Sequence, residues 1–265
     1  MPFSISKGPL VLGASGRLGR ALARAWPADA PAPVWQTRDG AGETLAWDIL
    51  NAPPPPLPPF GGVIVLAGVT QGTVAELALN TRLAQAGADL GAAYGVPVLL
   101  ASTQAVYGAQ QGLLSEAAAP GPGTAYGRAK LAMERAVAAP HVTSMRIGNV
   151  AGCDALSAAV ARGSVTLDRF ADGQGPRRAM IGPVDLAQVL LALLAAPARP
   201  AVLNVARPGL VAMADVLDAA GIRFAWRPAP QGALPELALD VTLLQEIYPL
   251  PVADAVAMAR QGGLI

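Results

Sequence analysis

Tyr126 and Lys130 stand four residues apart in Thr124-Ala-Tyr126-Gly-Arg-Ala-Lys130-Leu-Ala-Met-Glu-Arg. The segment is rich in helix formers, and on a helix this spacing stacks the two side chains on one face, one turn apart. Lys130 is one of two lysines in a chain with seventeen arginines. Where Arg is the habitual cation, a Lys marks a place for a compact ammonium rather than a planar guanidinium. A cation beside a phenol favours phenolate and draws the Tyr pKa down from about 10. Such a pair is equipped to pass a proton to or from a hydroxyl or carbonyl oxygen. An ordinary amphipathic helix would also bring a Tyr and a Lys together, so the surrounding elements have to decide.

Those elements begin near the N-terminus. Pro9-Leu-Val-Leu12 is an apolar run suited to a buried strand, and it leads into Gly13-Ala-Ser15-Gly16-Arg17-Leu18-Gly19 and then helical sequence to Trp26. A strand, a glycine-rich turn and a helix make a phosphate cradle. Glycines let the backbone approach a pyrophosphate, which rests on amides at the positive end of the helix. The spacing is GxxGxxG rather than the commoner GxGxxG, and it is the strand before and the helix after that give it meaning.

Further along, strands are expected near 33–37, 44–47, 62–67, 96–101, 142–147 and 201–205, following the one at 9–12. Helices are expected at 17–26, 73–94, 125–139, 154–162 and 184–196. This alternation predicts an α/β protein with a parallel sheet covered on both faces. The Pro53–Pro59 run reads as a stiff surface connector between two strands. Residues 207–265 show little periodicity. Gly13–Gly19, Gly68, Ser102–Thr103 and Asn149 all follow expected strands, which gathers them on one sheet edge, where open parallel sheets bind ligands.

In order along residues 9–217, these segments resemble the extended short-chain dehydrogenase/reductase family, also called the NAD-dependent epimerase/dehydratase family. Gly13, Gly16 and Gly19 match its glycine loop, and Trp47-Asp48-Ile49 is similar to its adenine-contacting segment. Leu66-Ala67-Gly68 resembles the turn after its fourth strand, and Asn80 the Asn that opens its fourth helix. Ser102-Thr103-Gln104-Ala105-Val106-Tyr107-Gly108 is similar to SSxxVYG. Arg146-Ile-Gly-Asn149-Val-Ala-Gly152 resembles RxxNxxG, and Arg178 followed by Asp185 resembles R-x6-D. The resemblance implies a Rossmann-like doubly wound parallel sheet with a small C-terminal substrate lobe. Residues 1–150 would form the dinucleotide-binding core with 178–206 returning to it, and 151–177 with 207–265 the lobe.

The resemblance also implies roles. Tyr126 would be the general acid/base, with Lys130 holding the nicotinamide ribose and lowering the Tyr pKa. Thr103 would bond the substrate oxygen, and Asn80 would help order water near Lys130. Gly13, Ser15, Gly16, Arg17, Leu18, Gly19, Arg38, Asp48, Ile49, Leu66, Ala67, Gly68, Lys130 and Asn149 would hold the dinucleotide. Thr103, Tyr126, Asn149 and Arg178 would meet the substrate. Departures matter too. Dehydrating members carry Asp-Glu after the catalytic Thr, whereas Gln104 and Ala105 stand here and neither transfers a proton. Only 28 residues separate Asn149 from Arg178, which predicts a shortened lobe and a small substrate. The second strand ends at Thr37, followed by Arg38 and Asp39. Without an acid at the tip and with an Arg beside it, NADP(H) is expected in preference to NAD(H); a one-residue shift would bring Asp39 to the tip and reverse that.

Composition sets limits. One cysteine, Cys153, and one histidine, His141, leave no disulfide and no histidine- or cysteine-built metal site. A net charge of +1 without a basic block argues against nucleic acid. No apolar run reaches the length of a membrane span, and no leader pattern is visible, so a cytoplasmic enzyme is expected. The leading function is hydride transfer at a secondary alcohol or ketone of a sugar-like or other small substrate. The alternatives are a nucleotide-sugar epimerase with tightly held NAD, and a non-catalytic dinucleotide sensor. Family resemblance and Ala/Leu-rich sequence predict a homodimer through helices 73–94 and 125–139.

Overall fold

The computed structural model describes residues 6–265. Seven parallel strands form the central sheet, in the spatial order Val202–Val205, Val142–Ile147, Val98–Thr103, Val63–Val65, Leu10–Leu12, Val34–Thr37, Leu45–Ala46. The order reverses at Leu10–Leu12, which pairs Leu10 with both Val34 and Val63. A crevice opens at such a switch point, above the carboxyl ends of the strands.

The inner strands Leu10–Leu12 and Val63–Val65 are wholly apolar because both faces are covered, and alternation assigns each side chain to a face. Val11, Ile64, Leu99 and Met145 point into one core, shared with Leu186, Leu190 and Leu193 of the helix Pro183–Ala195 and with Leu22 of the helix Arg17–Ala25. Leu10, Leu12, Val63, Val65, Val98 and Leu100 point into the other, against Ala84 and Ala88 of the helix Val74–Tyr94 and Met133 of the helix Ala125–Ala136. The long helix Val74–Tyr94 lies very close to the sheet: a Cβ at Gly87 would sit 2.3 Å from Val65 Cγ2, and one at Gly91 2.1 Å from Val98 Cγ2. Its start is set by a capping box, in which Thr73 and Glu76 satisfy each other's backbone amides. Asn80 therefore does not open this helix, as expected from sequence; it lies in the second turn.

A third core contains Leu156, Leu167, Met180, Val216, Leu217 and Met258. It belongs to the C-terminal part, which holds the helices Ala155–Ala161, Met213–Ala219 and Ala255–Gln261, and beside them Thr242–Ile247 packs on the end of the main sheet. The stretch 207–265, unreadable by periodicity, is thus well structured. Its strands are two to four residues long and pair with distant segments, as Glu236–Leu239 does with both Arg177–Arg178 and Leu113–Leu114. Pro53–Pro59 has neither helix nor strand and lies mostly exposed.

One polar cluster crosses the apolar layers. Glu134 and Arg146 are both nearly buried and joined by a fork, with Arg146 Nη2 donating to Glu134 Oε2 at 2.9 Å and Nε to the carboxylate at 3.2 Å. Ser102 Oγ donates to the same carboxylate. The Arg146 guanidinium lies 4.9 Å from the centre of the Tyr107 ring, and Tyr107 Oη donates to Asn204 Oδ1 at 2.7 Å. Removing one member of a buried pair strands the other charge. Glu134→Ala is expected to lower the unfolding free energy by about 3–5 kcal/mol in urea titrations, while Glu134→Leu with Arg146→Met recovers most of it. A loss below about 1 kcal/mol for Glu134→Ala would show that the cluster is not holding these elements.

Candidate active site

Gly13 takes φ +90°, and its amide donates to Gln36 Oε1 at 2.9 Å, while Gln36 Nε2 donates to Trp47 O at 2.5 Å. The buried Gln36 side chain therefore ties the glycine loop to the second and third strands. A Cβ on Gly13 would lie 2.5 Å from Ala67 N, and one on Gly19 2.6 Å from Ala14 Cα. The helix Arg17–Ala25 starts at Gly16 with no side-chain cap and no acid in its first turn. Its first amides are left for an external anion. Arg20 meets the Ser15 carbonyl, and Ser15, Gly16 and Arg17 are exposed.

Two cavities adjoin this loop and share Gly13, Gly16, Leu66 and Gly68, which makes them two ends of one groove. The smaller, about 240 Å³, is lined by Gln36, Thr37, Arg38, Asp48, Ile49 and Ala67 among others. The strand ends at Thr37, in register with the first strand through Leu12 and Gln36. Asp39 is exposed and does not line the groove, so the register shift that would place it at the tip is not present. Thr37 Oγ1 is occupied by Gly40 N and Thr44 Oγ1. Asp48 is held below the usual carboxylate range, first by Asn51 Nδ2 and then by the Leu50 amide, with Arg38 adding a smaller pull.

The larger cavity, about 630 Å³, gathers Thr103, Tyr126, Lys130, Asn149 and Arg178 with Gly13, Arg17, Leu18 and Gly19. Thr124 caps the helix Ala125–Ala136 by accepting from Gly127 N at 3.0 Å, which aims Tyr126 and Lys130 into the cavity. Thr103 ends its strand, and its hydroxyl accepts from Ala105 N at 3.2 Å, leaving the O–H proton for another partner. Ser102, one residue earlier, points the other way to Glu134, as alternation requires. Lys130 is 5% exposed and donates from Nζ to Ala101 O at 2.8 Å. Burial brings its pKa down to about 8, with Glu134 pulling in the other direction.

Three expected roles take a different form. Tyr126 is pushed above its ordinary pKa by burial, with Thr103 working weakly against that. The Lys130 ammonium is turned toward the Ala101 carbonyl, so in the protein alone it does not bring the phenol down. Asn80 is buried and spent on backbone: Oδ1 accepts from Val69 N at 3.1 Å, and Nδ2 donates to Val69 O and Leu77 O. It pins the turn at Gly68, where a Cβ would meet both Asn80 Oδ1 at 2.7 Å and Lys130 Nζ at 3.2 Å. Arg178 lines the cavity, but its guanidinium donates to the carbonyls of Arg177, Leu234 and Pro235, and burial lowers its pKa. The neighbouring Arg177 pairs with Glu236 at the surface.

Sequence reasoning misses Gln36 and Asp154 and weighs Gln104 only as a proton carrier, whereas its Nε2 donates to Asn149 Oδ1; the clamping role of Gln36 depends on three strands meeting in space. Asp154 is the one carboxylate lining the larger cavity among the described residues, and it is committed to Asn149 Nδ2 and to capping at Ser157. Cys153 sits at the cavity wall, and burial raises its thiol pKa. No His/Cys/Asp/Glu cluster suited to a metal occurs among the described residues, nor is any of their helices long and apolar enough to cross a membrane.

A buried lysine with a lowered pKa costs stability wherever both folded and unfolded chains are protonated. Below about pH 8 the cost is complete, and it fades as pH rises toward the unfolded value near 10.4. Lys130→Met is therefore expected to raise the unfolding free energy at pH 7, by on the order of 2–3 kcal/mol, with the gain vanishing by pH 10. Urea unfolding at the two pH values measures this, and a variant less stable than the parent at pH 7 would contradict it.

Residues 68–154 match the family described as RmlD substrate binding domain. No curated protein sequence matches the chain. Among solved structures, the fold is similar to UDP-N-acetylglucosamine 4-epimerase from Bacillus cereus, with 18% identity, TM-score 0.76, and 98% of this chain and 96% of that chain covered. UDP-glucose 4-epimerase from Brucella ovis in complex with NAD gives 20% identity and TM-score 0.74, with 97% of each chain covered. TunA, an NAD-dependent NDP-hexosamine 5,6-dehydratase involved in tunicamycin biosynthesis, gives 21% identity and TM-score 0.74 over 98% of this chain and 96% of that one. The chain thus matches that family over residues 68–154 and shares its fold with these enzymes over nearly its full length.

Proposed function

We propose that this protein is an oxidoreductase that reduces a ketone, or oxidises a secondary alcohol, on a sugar-like or other small hydroxylated substrate, with NADP(H) preferred. The observation that carries the reading is the convergence of Tyr126, Lys130 and Thr103 on a cavity continuous with the glycine loop. The uncapped amides after Gly16 and the close backbone contacts at Gly13 and Gly19 fit a pyrophosphate. When bound, a nicotinamide dinucleotide supplies or accepts the hydride. Lys130 would hold its ribose, and Thr103 would bond the reacting oxygen. Tyr126 would pass a proton to that oxygen as the carbonyl is reduced, and take it back in the reverse direction. Burial of the phenol keeps it protonated in the free protein, ready to act as the acid.

The substrate would lie between this edge and the C-terminal lobe, near Asn149 and Arg178. Dehydration finds no support, because Ala105 carries no acid and Asp154 is already engaged. The preference for NADP(H) rests on Thr37 at the strand tip and exposed Arg38 on the groove, well suited to a 2′-phosphate. An epimerase that retains NAD is the second reading, favoured by the fold shared with the two epimerases over nearly the full length of each chain. We further propose a homodimer through the helices Val74–Tyr94 and Ala125–Ala136, which pack side by side and leave Val74 and Tyr94 exposed.

Fluorescence titration with NADPH and NADH separates these readings. NADPH is expected to bind at least tenfold more tightly, and Arg38→Ala to weaken NADPH about 10- to 100-fold with little change for NADH. Equal binding of the two cofactors, or purification with NAD already bound and no net turnover, would favour the epimerase.

A further inference from the structure

The strands Val98–Thr103 and Val142–Ile147 stay in register up to the pair Thr103 and Ile147, and there they part. The first turns into the short 3-10 segment Gln104–Tyr107. On the other side, the Asn149 amide donates to Ala179 O at 2.9 Å, and Asn149 comes into register with Met180. Past the divergence the shared ladder of backbone hydrogen bonds no longer ties the two segments. The break falls at Thr103, whose hydroxyl would bond the reacting oxygen.

A line of side chains crosses the gap. Gln104 Nε2 donates to Asn149 Oδ1 at 2.6 Å, and Asn149 Nδ2 donates to Asp154 Oδ2 at 3.0 Å. The amide and hydroxyl of Ser157 then donate to Asp154 Oδ1 at 2.9 and 2.8 Å. A carboxylate only accepts, so the polarity of the line runs one way. Both ends of the Asn149 amide are thereby engaged within the protein, although Asn149 lines the larger cavity. Gln104 is 7% exposed, and its Oε1 is sealed from solvent with no hydrogen-bond partner among the described residues. An unpaired buried acceptor is costly, and such departures concentrate at functional sites. Gln104 is kept for its Nε2 at the cost of its Oε1.

We propose that Gln104, Asn149 and Asp154 are positioning residues, whose hydrogen-bonded line braces the turn after Thr103 against the start of the helix Ala155–Ala161 and so holds the Thr103 hydroxyl beside Tyr126. The inference rests on the oxidoreductase reading, in which those two hydroxyls meet the reacting oxygen, and the three residues act through Thr103. The Thr103 oxygen already accepts from Ala105 N at 3.2 Å, so the direction of its O–H follows the turn that Gln104 opens. Thr103 in turn draws the Tyr126 pKa down against the effect of burial.

A double-mutant cycle read at Tyr126, with no substrate needed, tests the brace. The parent, Thr103→Ala, Gln104→Met and the double variant are labelled with 13C-tyrosine. The Tyr126 resonance is recorded in the free protein at pH 8, and its pKa with saturating NADP+. Thr103→Ala is expected to shift the resonance and raise the pKa, because the phenolate loses a donor. Gln104→Met should produce at least half of both changes in the same direction, and the double variant should match Thr103→Ala alone. Asn149→Leu breaks the line at its next link and should act as Gln104→Met does; it decides the matter if Gln104→Met fails to fold. An unchanged Tyr126 in Gln104→Met, or a change that adds in full to that of Thr103→Ala, would overturn the proposal. If NADP+ fails to bind the parent, the oxidoreductase reading falls, and the resonances of the free proteins still decide whether the brace exists.

Discussion

The buried fork between Glu134 and Arg146 is the constraint on which the site depends. Glu134 lies on the same helix as Tyr126 and Lys130, while Arg146 and Ser102 lie on adjacent strands. One carboxylate thus ties the reactive helix to two strands of the sheet. Through the Tyr107 ring and Asn204, the same cluster reaches the edge strand Val202–Val205, and the Asn204 amide is held in turn by Glu116. Such a cluster is no bargain in stability terms, because desolvation offsets much of the attraction. What it contributes is a single allowed docking of the helix, since any slide leaves a charge unpaired.

That fixed docking sets the electrostatics of the cavity. Lys130 is buried against the Ala101 carbonyl, where its charge is poorly solvated, and Tyr126 is buried as a neutral phenol. Neither state is the cheapest for its residue type. Each is imposed by the packing around it, and each puts a group in a condition useful for proton transfer: an ammonium near its titration point and a phenol with its proton kept. Asn80 serves the same end from the opposite side, holding the Gly68 turn open beside Lys130 with all its amide capacity spent on backbone.

The sequence was most legible where periodicity and local turn chemistry coincide. The strand Val142–Ile147 and the helix Val74–Tyr94 match their expected bounds closely, and the helix start coincides with a local signal, the Thr73–Glu76 capping box. Thr103, Asn149, Gly68 and the glycine loop meet at one groove, as their placement after strands implies, and the Tyr126–Lys130 pair joins them from a helix. What escaped was built from contacts distant in the chain. Gln36 reads as an unremarkable strand residue until Gly13 and Trp47 approach it. The two-residue strand Arg177–Arg178 has no pattern of its own and exists only by pairing with Val211–Ala212 and Glu236–Leu239. Its spacing to Lys130 predicts a lowered Tyr126 pKa, whereas burial raises it; helical spacing says nothing about where an ammonium turns or how deeply a phenol is buried.

The central claim is that Tyr126 is a proton-transfer group whose phenol is held protonated by burial until a positively charged nicotinamide joins Lys130 beside it. The chain has four tyrosines, so 13C-tyrosine labelling with Tyr126→Phe for assignment allows its titration to be followed by NMR. In the free protein Tyr126 should titrate above the ordinary value near 10, and with saturating NADP+ its pKa should fall by at least two units. A phenol whose titration is the same with and without NADP+ would contradict the account.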